Sequence, residues 1–261
     1  MVSKQKNKSK KHISVSESAG FVGLCLFGLL ARIPFLKHFD LVAYDGTYYI
    51  NQAKSFLGQS AASGSFPIGY PSAIALFLPI ARDGVRAAQI VSLLAGIGSV
   101  WILYVLARRH VSRFHALLAA LLLAATPLFL RLTMMTLSES LFIFWLLLGL
   151  WFYDCRKYVR FSLVMGLAAI TRPEALGVFV ILALLRRRPA KRLVTMAASF
   201  LLVYSVNLVA LSVTLDRLVL VPKTEFFGTG ASNWKGREAW GDFSGREELE
   251  GTLETTKKTA V

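Results

Sequence analysis

Apolar runs of near-bilayer length, separated by short clusters of arginine and lysine, leave this chain few folds to choose from. A hydrocarbon core about 30 Å thick needs about 20 apolar residues per helix. Within it every backbone N–H and C=O must find a partner inside the segment, so the runs are expected to be helices. A soluble domain would alternate apolar and polar residues more evenly. Here 55% of the 261 residues are hydrophobic and the mean hydropathy is +0.54. The net charge of +15 would suggest nucleic acid on a soluble protein. Its basic residues instead punctuate the apolar runs, as the positive-inside rule requires, and no basic stripe with interleaved aromatics is present. Nucleic acid is therefore excluded as a partner.

The charge clusters set an expected topology. Residues 1–18 form a basic cytoplasmic tail carrying Lys4, Lys6, Lys8, Lys10 and Lys11. The apolar run after it continues into Arg32-Ile33-Pro34-Phe35 with no small-residue cleavage pattern, so it reads as an uncleaved anchor. A first helix over 19–36 leaves the cytoplasm. A long outer loop, 37–84, follows, and its apolar stretch 67–80 is too short and proline-rich for an ordinary span. Further helices are expected over 85–107, 114–130 and 137–153, with a tight turn at 131–136. Arg108, Arg109 and Arg113, then Arg156, Lys157 and Arg160, mark cytoplasmic loops. One span over 161–185 would carry the basic cluster at 186–192 to the wrong side. A break at Thr171-Arg172-Pro173-Glu174 resolves this, since proline removes a helix hydrogen bond and restricts the residue before it. The spacing thus predicts a hairpin, a last helix over 193–215, and an extracytoplasmic loop or tail over 216–261, disordered from about Gly245. Cys25 and Cys155 have no metal-ligand spacing and read as small apolar side chains.

Few residues can carry chemistry. Tyr44-Asp45-Gly46-Thr47-Tyr48-Tyr49 follows the first helix on the outer side. If Asp45 opens a helix, Tyr48, Tyr49 and Gln52 share its face. A carboxylate beside aromatics at the membrane surface suits a general base for a hydroxyl acceptor. From spacing alone the simpler reading of Asp45 is an N-cap. Glu139, at the outer start of the fourth helix, is either functional or half of a capping box with Thr136. Lys54, Arg131 and Arg172 are candidate phosphate ligands, because a guanidinium offers two parallel hydrogen bonds to phosphate oxygens. Arg172 is also read as a side chain that snorkels and satisfies the broken backbone. No Walker loop, dinucleotide fingerprint or zinc spacing is present.

These segments occur in a familiar order: Tyr44-Asp45-Gly46-Thr47-Tyr48-Tyr49, Phe66-Pro67-Ile68-Gly69-Tyr70-Pro71, Leu137-Ser138-Glu139-Ser140-Leu141-Phe142, and Gly166 through Thr171-Arg172-Pro173-Glu174. Over residues 20–215 the chain resembles the GT-C glycosyltransferase superfamily, in particular the family-39-like group related to protein O-mannosyltransferases and aminoarabinose transferases. The resemblance implies an all-α, polytopic transmembrane bundle, its helical module spanning 19–215, in the plasma (inner) membrane with a cytoplasmic N-terminus. It implies inverting transfer of a sugar from a polyprenyl-phosphate donor to an extracytoplasmic acceptor. Asp45 then matches the proposed base and Glu139 the second acidic position, with Tyr48, Tyr49, Lys54, Tyr70, Arg131 and Arg172 as substrate-binding candidates. No metal ligand is assigned and no cofactor is required, although a divalent metal stays open. Many relatives carry Asp-Glu in the first loop, where this chain has Asp45-Gly46. Relatives also continue through more helices, so a truncated product, a minimal relative, or one piece of a split enzyme with a partner protein supplying the C-terminal half is expected. The rival functions are a non-catalytic membrane module and, further behind, a transporter of lipid-linked sugar.

Overall fold

The computed structural model describes residues 23, 26–28, 30, 32, 44–60, 66–185 and 189–215. All belong to one compact unit, Met1–Leu220. The basic tail and the C-terminal stretch from 216 onward lie outside the described residues. So does most of the expected first helix, of which residues 23, 26–28 and 30 are helical. Among the described residues nine helices follow: α1 (Tyr44–Phe56), α2 (Gly69–Ala81), α3 (Gly84–Ala107), α4 (Arg113–Ala125), α5 (Pro127–Leu132), α6 (Glu139–Asp154), α7 (Tyr158–Thr171), α8 (Ala175–Leu184) and α9 (Ala190–Leu215). There is no strand among the described residues. Among the described residues two helical stretches, Gly84–Ala107 and Ala190–Val213, are long and apolar enough to cross a membrane.

Local sequence explains where these helices start and stop. The carboxylate of Asp83 accepts hydrogen bonds from the Val85 and Arg86 N–H groups and so caps α3. That helix then runs without proline, burying Ala87, Ala88, Val91, Ser92, Ala95, Gly96, Ser99 and Val100 on one face. Small side chains at this spacing let helix backbones approach closely, which is how packing is gained where hydrophobic burial drives little. The single helix expected over 114–130 is instead two, α4 and α5. Thr126 is extended (φ −63°, ψ 121°), and Pro127, which has no N–H to donate, opens α5. Arg131 therefore lies in a helix, and the turn expected at 131–136 falls at 133–138.

The break at Arg172–Glu174 is present, and the chain reverses there. A continuous helix would carry Phe161 about 27 Å from Phe179. Their ring centroids are 5.8 Å apart. Phe179 in turn stacks on Phe200 of α9 at 4.3 Å. The Arg192 guanidinium lies 5.6 Å from the centroid of the Tyr158 ring, so α7 and α9 begin at the same end of the bundle and α8 is the return limb between them. The C-terminus of α6 reaches this end too, where Asp154 pairs with Arg109 and, at 3.4 Å, with His110. Most clustered cations of the described chain gather here. The candidate chemical residues gather at the opposite end.

Candidate functional site

Two close backbone approaches build this end. Gly46, in the first turn of α1, sits directly on the turn before α6. A Cβ at position 46 would stand 1.9 Å from the Thr136 hydroxyl and 2.9 Å from the Thr136 carbonyl oxygen. Only glycine fits, which gives a physical reason for Asp-Gly where relatives carry Asp-Glu. Gly69, at the start of α2, sits in the same way on the end of α7, where a Cβ would come within 2.6 Å of the Thr171 hydroxyl and 2.7 Å of the Ile170 carbonyl oxygen. Thr136 precedes Glu139 by three residues, and Thr171 precedes Arg172 by one. Each glycine therefore docks a helix start beside one half of a charged pair.

That pair is the centre of the site. Arg172 donates from Nη1 to Glu139 Oε1 at 2.5 Å and from Nη2 to Glu174 Oε1 at 3.0 Å. The other carboxylate oxygen of Glu139 is buried without a hydrogen bond. The capping box weighed for Thr136 and Glu139 does not form: no side chain caps α6, and the Thr136 hydroxyl is buried without a partner. Pro173 breaks the helix, and the break leaves Arg172 at the bundle end facing Glu139.

Asp45 is brought to the same place by α1. Because the helix begins at Tyr44, Asp45 stands in its first turn. Among the described residues its carboxylate makes no hydrogen bond or ion pair. One turn on, the hydroxyl of Tyr49 lies 3.3 Å from that of Ser138. The charges of Asp45, Glu139 and Arg172 all bear on the Tyr49 hydroxyl. Burial pushes that hydroxyl up to about 12, so it stays neutral and can donate a hydrogen bond. The Tyr49 ring packs edge-on against Phe66 and Tyr70 at 5.1 and 5.2 Å. The Tyr70 hydroxyl donates to the Ala88 carbonyl at 3.1 Å and lies 2.8 Å from Ser92, which reaches the Leu137 carbonyl at 3.4 Å. Tyr70 is thus fully buried and ties α2 to α3. Tyr48 flanks the site, its ring 5.5 Å from Phe66.

Among the described residues, the remaining two candidates make no side-chain bond to the Glu139–Arg172 pair. Lys54 is in the last turn of α1 and lines a separate cavity of about 300 Å3 with Arg82 and Asp83. Arg131 is exposed on α5. Beyond these candidates, four side chains contribute. Glu174 is the second carboxylate on Arg172. The Gln52 amide nitrogen donates to the Phe66 carbonyl at 3.1 Å, and Asn207 Oδ1 accepts from the Ile68 N–H at 3.0 Å, so the segment 66–68 is held from both sides. Arg32 is 2% exposed, donating to the Thr133 hydroxyl at 2.9 Å and to the Gly28 carbonyl. An arginine inside an apolar run was the available signal for it. Among the described residues no three His, Cys, Asp or Glu side chains converge to hold a metal ion.

The family model for dolichyl-phosphate-mannose-protein mannosyltransferases matches residues 65–216, more than half of the chain. The chain belongs to this family. Neither a curated protein nor a solved structure matches it. Family membership makes it a membrane glycosyltransferase of the GT-C kind, a class that uses a lipid-linked sugar donor. The matched span holds Tyr70, Arg131, Glu139 and Arg172 but not Asp45, Tyr48, Tyr49 or Lys54. The bonds and close approaches of α1 are what join the first loop to the matched region.

The Gly46–Thr136 approach is directly testable. Gly46→Ala should destabilise the fold by the cost of overpacking, about 1–3 kcal/mol, and lower the thermal midpoint accordingly. Thr136→Gly in the same chain should restore part of it, because the hydroxyl and Cβ that the new methyl meets are gone. Equal midpoints for wild type and Gly46→Ala would show that α1 does not dock as described.

Proposed function

We propose that the chain transfers a sugar from a polyprenyl-phosphate donor to a hydroxyl acceptor on the outer side of the plasma membrane, with inversion, and that Asp45 is the general base. The observation that carries this reading is the docking of α1. Gly46 on Thr136 and Tyr49 on Ser138 dock the helix that carries Asp45, a carboxylate with no ion pair among the described residues, against the turn that leads into Glu139, which Arg172 engages. Three tasks then fall to different groups. Asp45 accepts the proton of the attacking hydroxyl. Glu139 and Glu174 hold the Arg172 guanidinium at the helix break. Arg172 offsets the negative charge that develops on the departing lipid phosphate. Tyr48 walls the acceptor side, backed by the buried rings of Tyr49 and Tyr70.

The wider arrangement proposed is a polytopic bundle over 19–215, with residues 1–18 cytoplasmic and 216–261 outside. The basic end, with Arg109, Lys157 and Lys191, is the cytoplasmic one. Cysteine substitutions at those three positions should label only from the cytoplasmic side, and one at Ser232 from outside. Labelling of the Lys191 position in intact cells would reverse the hairpin in the membrane.

The function itself is tested in membranes supplied with radiolabelled polyprenyl-phosphate mannose, the donor that the family's description suggests first. Transfer of label to a protein acceptor that depends on the chain is the expected result. Absence of transfer from any polyprenyl-phosphate sugar would favour a non-catalytic membrane module.

A further inference from the structure

A second cavity, of about 670 Å3, opens at the end of the bundle opposite Glu139 and Arg172, lined by Arg156, Tyr158, Val159 and Arg192. Its two arginines come from the α6–α7 connection and the start of α9, far apart in sequence, and converge because α7 and α9 begin together. Three features set it apart from the general basic surface around it.

The first is charge balance. Among the described residues of this end, Asp154 is the one carboxylate, and it is taken by Arg109 and His110. Among the described residues, neither Arg156 nor Arg192 has an acidic partner; Arg192 rests on the face of the Tyr158 ring. The second is backbone conformation. Arg156 has φ 58°, in the left-handed region where a helix terminus ordinarily carries glycine. An arginine held in that conformation puts a long cationic side chain where the backbone alone favours none. The third is the setting. The neighbouring helix ends expose Leu184, Leu185 and Val194 at 68%, 68% and 67%, an apolar border beside the charged cavity.

We infer that this cavity binds the phosphate headgroup of an acidic membrane lipid. Two guanidiniums without acidic partners match a phosphodiester, each able to give paired charge-assisted hydrogen bonds. The cavity is several times larger than a phosphate ion, leaving room for a glycerol moiety against Val159. The exposed leucines and valine meet the acyl chains where they leave the headgroup. Basic pockets between membrane helices are suited to such headgroups on general electrostatic grounds. The inference does not depend on the transferase reading, since no group of the Asp45 site takes part.

The full chain in neutral detergent can be titrated with phosphatidylglycerol and followed by its thermal midpoint. The midpoint should rise with this lipid, and neither phosphatidylcholine nor inorganic phosphate at equal concentration should raise it. Arg156→Gly/Arg192→Gln should weaken the apparent affinity by about tenfold or more. The glycine suits the φ at position 156, so this variant should fold in the absence of lipid, and Arg192→Gln alone should give a smaller loss in the same direction. Arg160→Gln/Lys191→Gln removes the same charge from the same end without touching the cavity and should change affinity by about twofold at most. If that control pair weakens binding as much as the cavity pair, diffuse surface charge is responsible and the site is refuted. If inorganic phosphate raises the midpoint as the lipid does, the cavity is a free-anion site and the lipid assignment fails.

Discussion

Asp45→Asn is expected to reduce sugar transfer about 10²- to 10⁴-fold while the protein stays folded and inserted. The structural side of the substitution is small. Asp45 stands in the first turn of α1 and, among the described residues, makes no side-chain hydrogen bond or ion pair. What the helix loses is the favourable meeting of a carboxylate with its N-terminal dipole, about 0.3–1 kcal/mol. The amide has nearly the same size, so the Gly46–Thr136 approach beside it is undisturbed. The chemical side is large, because an amide cannot take the proton of an attacking hydroxyl. Transfer assayed in membranes at matched protein levels separates the two. Wild-type turnover from Asp45→Asn would leave the residue as a helix-terminus charge and remove the base from the proposed mechanism.

Arg172→Ala should have the next largest effect, and it should act on stability as well as activity. The guanidinium bridges Glu139 and Glu174. Its removal leaves two carboxylates facing each other with one oxygen of Glu139 already buried and unpaired. An exposed pair contributes about 0–1 kcal/mol and breaking a buried one costs about 3–5 kcal/mol. Arg172 and Glu139 side chains are 21% and 33% exposed, so a loss of about 2 kcal/mol is expected, between those limits. For a domain of this size that lowers the thermal midpoint by roughly 4–8 °C. Glu139→Gln added to Arg172→Ala should recover most of the midpoint and none of the transfer. A double variant no more stable than Arg172→Ala would show that the two side chains are not energetically coupled.

The sequence carried the hairpin more clearly than the site. The break at Thr171-Arg172-Pro173-Glu174 was legible because two independent signals met there, a proline and a charge balance that one crossing could not satisfy. Pro127 carries the same backbone chemistry, yet no charge conflict pointed to it, so 114–130 read as one helix. The site residues were legible as residue types and not as partners. Glu139 and Arg172 are 33 positions apart. Thr136 three residues before Glu139 offered a local capping box that tertiary packing overrode, because Gly46 of α1 occupies the space around Thr136. Lys54 and Arg131 share the chemistry of Arg172 but, among the described residues, not its ion pairs. Arg156 and Arg192 read only as topology signals, since their convergence depends on α8 returning the chain to where α7 began.

The lengths of the helices that support the Glu139–Arg172 pair set its depth. From the basic end, α7 rises 14 residues to Thr171 and α6 spans 16 residues between Asp154 and Glu139, or about 21 and 24 Å. A hydrocarbon core is about 30 Å thick. In the proposed topology, with the basic end at the cytoplasmic face, the pair would lie several ångströms short of the outer face, roofed by α1 and α2. A lipid-borne phosphate resting at headgroup level would have to descend into this recess, or the bilayer would have to thin around it. Under the proposed topology and mechanism, bilayer thickness becomes a variable of catalysis: reconstitution in lipids of shorter acyl chains should favour donor engagement, and longer chains should oppose it.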